Sequence, residues 1–306
     1  MAADRQPATT PSTSSERRDA IHDIGYRRYD GPRLGERYIQ RSLYLETVKG
    51  VFGLGRSARS KVMPLLLLAV ITFPALVMAV IPSVTGAREL PVGYVQYLFN
   101  VQVVIAIFVG AQAPAVVSRD LRFRVVSLYF SRPLHRARYV QAKYAALATA
   151  LFVLLALPLT VMFLGALLAE LPVTEQLPPY LRGMAAVLLY AVVLAGVGLL
   201  IAAFTPRRGL GVAAVVAVLL VLSGIRAMVA ALGLEFDQLA LAEYAGLISP
   251  FTLVDGTVTL IGAESSLGEA GPPGGPGALV FPGLALALVG VCYAALTARY
   301  RKVSVS

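Results

Sequence analysis

Six long apolar runs constrain this sequence more than any other feature. Hydrocarbon about 30 Å thick is crossed by about 20 residues of helix, so each run is long enough to span a membrane. Composition agrees, since 57% of the residues are hydrophobic and only 14% are charged. The sequence therefore predicts an all-α integral membrane protein with six transmembrane helices, at residues 62–82, 93–117, 143–169, 182–204, 209–229 and 279–298.

Basic residues divide unevenly between the segments that flank these runs. If both termini lie in the cytoplasm, 24 of the 27 Lys and Arg residues lie inside. The outside then holds 9 of the 17 acidic residues and three arginines, namely Arg88, Arg182 and Arg226. Cytoplasmic loops of membrane proteins are enriched in Lys and Arg, so the sequence predicts cytoplasmic N- and C-termini.

The segments outside the spans differ in character. Residues 1–35 are rich in Ser, Thr, Pro and Arg, which predicts a largely disordered cytoplasmic segment. Residues 36–61 carry a weak helical stripe typical of an interfacial helix, and residues 62–306 form the six-span domain. Within it, residues 234–270 hold six acidic residues and no Lys or Arg. This semi-apolar segment predicts short helices packed on, or dipping into, the outer face, and not a seventh span.

The connection between the second and third spans, residues 118–143, holds seven Lys and Arg residues and one acidic residue. Its first half has apolar residues on one stripe, which predicts a short cytoplasmic helix with Ser118 as a candidate N-cap. A polar start beside an apolar face suits a contact with a partner protein. Alternatively, this basic loop only sets the orientation of the chain. The candidate partner-coupling residues are Arg119, Asp120, Leu121, Val125, Leu128 and Tyr129.

Few polar side chains interrupt the apolar runs. Three amides of the second run, Asn100, Gln102 and Gln112, predict interhelical hydrogen bonds, or else positions that line a pathway through the membrane. Arg226 follows about 17 apolar residues of the fifth run, which places it about 25 Å across, near the outer interface. There it would snorkel or pair with an outer carboxylate, or else line the pathway. The possible pathway-lining residues are Asn100, Gln102, Gln112 and Arg226.

The sequence argues against several kinds of site. The run GLGRSARSK at residues 53–61 lacks the glycine spacing of a Walker loop, so the chain is not expected to bind nucleotide. A single cysteine, Cys292, permits no cysteine-rich metal site, and two histidines make a histidine cluster improbable. Membrane topology accounts for the net charge of +10, so nucleic acid is not an expected partner. We expect no bound cofactor and no enzymatic activity of this chain alone.

The chain resembles the membrane-spanning permeases of type-2 ABC exporters. The resemblance rests on six spans with both termini inside and on the second connection, which reads SRD and then LYFSRPLHRARYVQAKY. Arg119-Asp120 matches the Arg-acid pair of that family, Ser131-Arg132-Pro133-Leu134 matches its turn, and Lys143 matches the lysine that opens the third span. The leader IGYRRYDGPRLG resembles that of an actinobacterial subgroup.

The sequence departs from the pattern of that family at two places. Ala142 stands where glycine is common, and Phe123-Arg124 replaces the usual Gly-Thr after the acidic residue. These differences concern the shape of the predicted coupling helix.

The resemblance implies a permease subunit of an ATP-driven exporter in the plasma membrane of a bacterium. A separate ABC ATPase subunit would bind ATP and Mg²⁺. Six spans are half of such a transporter, which implies a homodimer or a heterodimer with a similar permease. Two other hypotheses compete with this one: a secondary transporter, which would carry ionisable residues at mid-membrane, and a structural membrane subunit without a transport role.

Overall fold

The computed structural model describes residue 31 and residues 34–55, 57–122, 135–205 and 207–303. For residues 118–122, 302 and 303 it describes only the backbone. The chain divides into two compact units at Leu34, and the fold below is that of the unit that begins at Gly35.

All regular structure in the described residues is helical. In the part of the chain that the structure describes, three short 3₁₀ turns, at Ala245–Leu247, Gly268–Ala270 and Gly275–Leu279, accompany ten α-helices. In chain order these helices are α1 (Glu36–Val51), α2 (Ala58–Thr85), α3 (Tyr94–Asn100), α4 (Gln102–Arg122), α5 (Arg136–Leu168), α6 (Val173–Phe204), α7 (Arg208–Glu235), α8 (Leu239–Tyr244), α9 (Pro250–Thr259) and α10 (Val280–Val303).

Among the described residues, five helices, α2, α5, α6, α7 and α10, are long and apolar enough to cross a membrane. This confirms the prediction of a helical, multi-pass membrane protein. A sixth span is obtained if α3 and α4 count as one crossing. Several helices extend beyond the predicted apolar runs, because a helix continues into its polar end turns whereas hydropathy marks only the part that hydrocarbon would cover.

The second predicted span, residues 93–117, is wrong as a continuous helix, since α3 and α4 meet at Val101 with a bend of 62°. Two tyrosines of α3 account for the bend. Tyr94 Oη donates to Gln176 Oε1 of α6 at 3.3 Å, and Tyr97 Oη donates to the backbone oxygen of Ile71 in α2. These bonds satisfy buried hydroxyls and hold α3 against two other helices, away from the axis of α4.

Helix α6 lies at the centre of the bundle and packs against α3, α4, α5, α7, α9 and α10. Small residues allow the closest helix approaches. A Cβ added to Gly165 of α5 would lie 2.3 Å from Cβ of Ala79 in α2, and one added to Gly198 of α6 would lie 2.5 Å from Cγ1 of Val109 in α4. Such small-residue contacts replace the hydrophobic driving force that is missing between helices in lipid.

Helix α1 lies where the interfacial helix was predicted, but it ends at Val51 and not near residue 61. A turn follows, in which Gly53 has φ +68° and its absent Cβ would lie 2.5 Å from the backbone oxygen of Ser60. Only glycine fits at this position of the turn, and α2 begins shortly after the turn, at Ala58.

The bundle has two ends of different charge. We call the end with α1 and the N-termini of α2, α5 and α7 the basic end, and the opposite one the acidic end. The segment 234–270 lies at the acidic end and contains α8 and α9. Helix α9 has ten residues, about 15 Å, which is too short to cross hydrocarbon, and it packs among α6, α7 and α10.

Candidate functional site

At the basic end, α1 is tied to the beginning of α5. Glu36 Oε1 accepts a hydrogen bond from the backbone N–H of His135 at 3.0 Å and lies 2.8 Å from His135 Nδ1. Arg138 Nε is 3.6 Å away from the same oxygen. The hydrogen bonds from His135 hold the pKa of the Glu36 carboxyl below its ordinary value. Glu36 thus satisfies an otherwise unpaired N–H at the N-terminus of α5.

A second layer of polar contacts continues this junction. Arg138 Nη1 donates to Gln40 Oε1 at 3.1 Å, and Gln40 Nε2 donates to Gln141 Oε1 at 3.4 Å. Gln141 Nε2 in turn donates to Tyr293 Oη of α10 at 3.2 Å. Side chains of α1, α5 and α10 are therefore connected at the basic end.

The structure places only part of the predicted coupling helix. Arg119, Asp120 and Leu121 lie in the last turns of α4, which continues through Arg122. Ser118 is therefore inside α4 and does not cap a new helix, so that expectation was wrong. The other predicted coupling residues, Val125, Leu128 and Tyr129, lie outside the described residues.

The pathway-lining candidates Asn100 and Gln102 lie on either side of the bend between α3 and α4. Asn100 is exposed, whereas Gln102 is half-buried and its Oε1 is 3.5 Å from Ser223 Oγ of α7. Ser223 Oγ is also 3.0 Å from Ser249 Oγ. Ser249 caps α9, since its side chain accepts from the N–H of Phe251. The predicted interhelical bond of Gln102 is thus present, and it leads to α9.

The other two candidates are buried at separate places. Gln112 lies ten residues after Gln102 in α4, about 15 Å further along the helix, and is 5% exposed. Arg226 of α7 is 9% exposed, and its Nη2 donates to the backbone oxygen of Ala270 at 3.3 Å. Its Nε is buried without a hydrogen-bond partner among the described residues. Arg226 therefore does not extend to solvent, as snorkelling would require.

Asp255 of α9 is a functional candidate that the sequence did not reveal, and it is completely buried. Its Oδ2 accepts from Ser265 Oγ at 2.9 Å, and its Oδ1 accepts from the N–H of Ser266 at 3.1 Å. Burial raises the pKa of the Asp255 carboxyl, although these hydrogen bonds and the charge of Arg226 act in the opposite direction. An acidic residue inside a semi-apolar segment was the signal that could have identified it.

The loop that Asp255 holds also forms one wall of a cavity of about 540 Å³. The cavity lies between the start of α3, the first turns of α6 and residues 263–268. Its polar lining includes Gln96, Glu175, Arg182, Glu264, Ser265 and Ser266. This volume is typical of small-molecule sites in proteins.

No cluster of three or more His, Cys, Asp or Glu side chains is placed to hold a metal ion in the part of the chain that the structure describes. Comparison with known proteins adds no family: no family model matches the chain, and no curated protein is significantly similar to it. The functional argument therefore rests on the residues and contacts above.

Proposed function

We propose that this chain is the membrane-spanning permease subunit of an ATP-driven exporter of the type-2 ABC class. It would form the translocation pathway in a bacterial plasma membrane, with the basic end in the cytoplasm. A separate ABC ATPase subunit would dock at that end and bind ATP and Mg²⁺. The motif match around Arg119-Asp120 and Ser131-Arg132-Pro133-Leu134 and the distribution of Lys and Arg support this proposal.

The observation that carries the proposal is how the connection between α4 and α5 is anchored. Helix α4 leads into it at Arg122 and α5 leaves it at Arg136. Helix α4 packs on α6 and α7, while α5 packs on α2 and α6 and is held by α1 through Glu36. A force applied to the connection would therefore be transmitted into the bundle, as coupling to an ATPase requires.

The proposed assembly contains a second permease. If the bent pair is one span, the described residues hold six spans, which is half the number expected of a type-2 exporter. Either a second copy of this chain or a similar permease would complete the pathway. Gln102 and Gln112 on α4 are the polar positions that would line it.

A second candidate function is a secondary transporter, and one observation favours it. Asp255 is completely buried and Arg226 is 9% exposed, which is the kind of ionisable pair that ion-coupled transporters use. The two functions differ in energy source. Transport by reconstituted vesicles that requires ATP and the ATPase supports the exporter, whereas transport driven by a proton or sodium gradient by this chain alone supports the alternative.

Docking of the ATPase gives the direct test. The chain is co-expressed with a candidate ABC ATPase subunit, and the ATPase recovered with the purified membrane complex is measured. Leu128→Asp should abolish recovery, because truncating or charging an apolar anchor costs about 1 to 4 kcal/mol at an interface. Arg122→Ala should weaken recovery only slightly and in a salt-dependent way.

Leu239→Asp is the matched control, because Leu239 is 52% exposed and lies at the acidic end. It should leave ATPase recovery unchanged. Normal recovery with Leu128→Asp would contradict the coupling role of the connection. ATP hydrolysis by this chain without a partner would contradict the division between permease and ATPase.

Orientation is tested with single cysteines in a Cys292→Ala background. Glu235→Cys at the acidic end should react with an impermeant maleimide on intact cells, whereas Ser57→Cys at the basic end should react only after the membrane is opened. Both positions are exposed in the structure. Labelling of Ser57→Cys on intact cells would show that the basic end faces outward, which contradicts the proposed orientation.

A further inference from the structure

The cavity at the acidic end has no role in the docking of an ATPase, yet its chemistry indicates a ligand. It lies where α3 and α6 begin and is closed on one side by the loop that follows α9. Its volume of about 540 Å³ is within the range of 300 to 1,000 Å³ that small-molecule sites occupy. Charged groups of both signs line the cavity, and their arrangement decides which ligands the cavity can bind.

Arg182 is the single cation among the cavity-lining residues. Its side chain is half-buried, and the described part of the chain provides it with no hydrogen bond or ion pair. The guanidinium lies beside Gly262, where an added Cβ would be 3.4 Å from Nη2. A guanidinium held at a cavity wall with its donors unused favours a phosphate or carboxylate, which it can bind through two parallel hydrogen bonds.

Glu175 and Glu264 line the same cavity and form no ion pair with Arg182. Glu175 and Arg182 are seven residues apart on α6, so they share one face about 10 Å apart along the axis, with Glu175 nearer the helix start. Pro178 and Pro179 lie between them. Proline has no N–H, so neither residue donates a hydrogen bond within this turn of the helix.

The two kinds of group select against simply charged ligands. An anion near Arg182 would be repelled by two carboxylates, and a cation bound by Glu175 and Glu264 would leave the guanidinium without a counter-charge. A molecule with both charges satisfies both parts of the cavity. Its anionic group would lie at Arg182, and its ammonium group would lie beside the carboxylates of Glu175 and Glu264.

We propose that this cavity binds a zwitterion in which an ammonium group is joined by a short linker to a phosphate or carboxylate. Two sources offer this chemistry: the ethanolamine headgroup of a phospholipid, and a free small zwitterion such as an amino acid or phosphoethanolamine. The proposal does not depend on the exporter function, because the cavity would bind this ligand in a transporter of any energy source.

The test measures binding to the purified full chain in detergent by native mass spectrometry. Phosphatidylethanolamine and phosphatidylglycerol with the same acyl chains are titrated in parallel. The wild-type chain should retain the ethanolamine lipid about tenfold more tightly than the glycerol lipid. Addition of free phosphoethanolamine or glycine should displace the lipid if the source is a soluble zwitterion, and should leave it bound if the source is the headgroup.

Arg182→Gln should lower the affinity for phosphatidylethanolamine about tenfold or more, because the charge-assisted bonds to the anion are lost. Arg88→Gln is the matched control, since Arg88 is an exposed arginine of the same end outside the cavity. It should bind as the wild type does. Equal binding by Arg182→Gln and the wild type would overturn the proposal.

Two further variants decide the matter if Arg182→Gln does not fold. Glu175→Gln combined with Glu264→Gln should remove the preference for ethanolamine over glycerol, whereas Glu89→Gln should retain it. Gly93→Leu should reduce binding by occupying the cavity, because a Cβ at Gly93 meets no atom within 4 Å. If the wild type binds both lipids equally and free zwitterions not at all, only non-specific lipid association is present and the proposal is wrong.

Discussion

Replacing Asp255 by alanine is the most informative test of how the acidic end is held together. The carboxylate accepts from Ser265 Oγ at 2.9 Å and from the N–H of Ser266 at 3.1 Å, and it is completely buried. Asp255→Ala leaves both donors without an acceptor and removes the counter-charge near Arg226. Hydrogen bonds to charged groups contribute about 1.5 to 3 kcal/mol each, so we expect a loss of about 3 to 5 kcal/mol.

Asp255→Asn distinguishes the contribution of the charge from that of the hydrogen bonds. The amide keeps the shape and one acceptor oxygen, but its NH₂ group would face one of the two donors. We expect an intermediate loss of about 1 to 3 kcal/mol. A double-mutant cycle with Ser265→Ala should give a coupling of about 0.5 to 3 kcal/mol, because the two side chains share one bond.

The assay uses the single cysteine of the chain. Cys292 is buried, so a thiol-reactive fluorescent dye reports unfolding at one site on heating. At about 2 to 4 °C per kcal/mol, Asp255→Ala should lower the melting temperature by about 6 °C or more. Glu235→Ala removes an exposed carboxylate of the same end and should melt within about 1 °C of the wild type. A melting temperature of Asp255→Ala equal to that of Glu235→Ala would refute the reasoning.

Two further predictions concern helix packing and pH. Gly165→Leu should lower stability by about 1 to 3 kcal/mol in the same assay, because a Cβ alone would lie 2.3 Å from Cβ of Ala79. Gly290→Ala is the control and should be neutral or slightly stabilising, since its added Cβ would meet no atom within 4 Å. Equal melting temperatures of the two variants would contradict this prediction. The lowered pKa of Glu36 means that its stabilising contact with His135 is complete above the ordinary value of 4.5 and is lost as pH falls through the lowered pKa. Glu36→Gln should therefore reduce the difference in hydrogen exchange at the start of α5 between neutral and acidic pH, and an unchanged difference would contradict this assignment.

Hydropathy alone located the spanning helices, because hydrocarbon imposes about 20 apolar residues on each crossing whatever the tertiary structure. The bend at Val101 could not be predicted in this way. It depends on the bond from Tyr97 to the backbone of Ile71, a contact between residues 26 positions apart. The end of α1 at Val51 lies where glycines interrupt the helical stripe, and Gly53 there has a positive φ.

The burial of Asp255 was the second feature that could not be predicted from the sequence. Residues 234–270 were predicted to form short helices packed on, or dipping into, the outer face, without any one acidic residue being singled out as buried. Five of the six acidic residues there are exposed or partly exposed, but Asp255 is buried because Ser265 and Ser266 replace its water. That replacement depends on a loop ten residues away folding back on α9, which no local pattern encodes.

Helix α4, together with polar contacts at its start, gives the proposed exporter a continuous route between its two ends. Helix α4, whose far end leads into the basic connection, begins with Gln102, and Gln102 contacts Ser223 of α7. Ser223 contacts Ser249, the cap of α9, and α9 carries Asp255, which holds the cavity loop through Ser265. Because α3 and α4 meet at a bend of 62°, movement of α4 can change that angle without breaking a continuous helix. In the proposed mechanism, force from the ATPase would therefore reach the acidic-end cavity through α4 and α9, and the bend would be the point at which it acts.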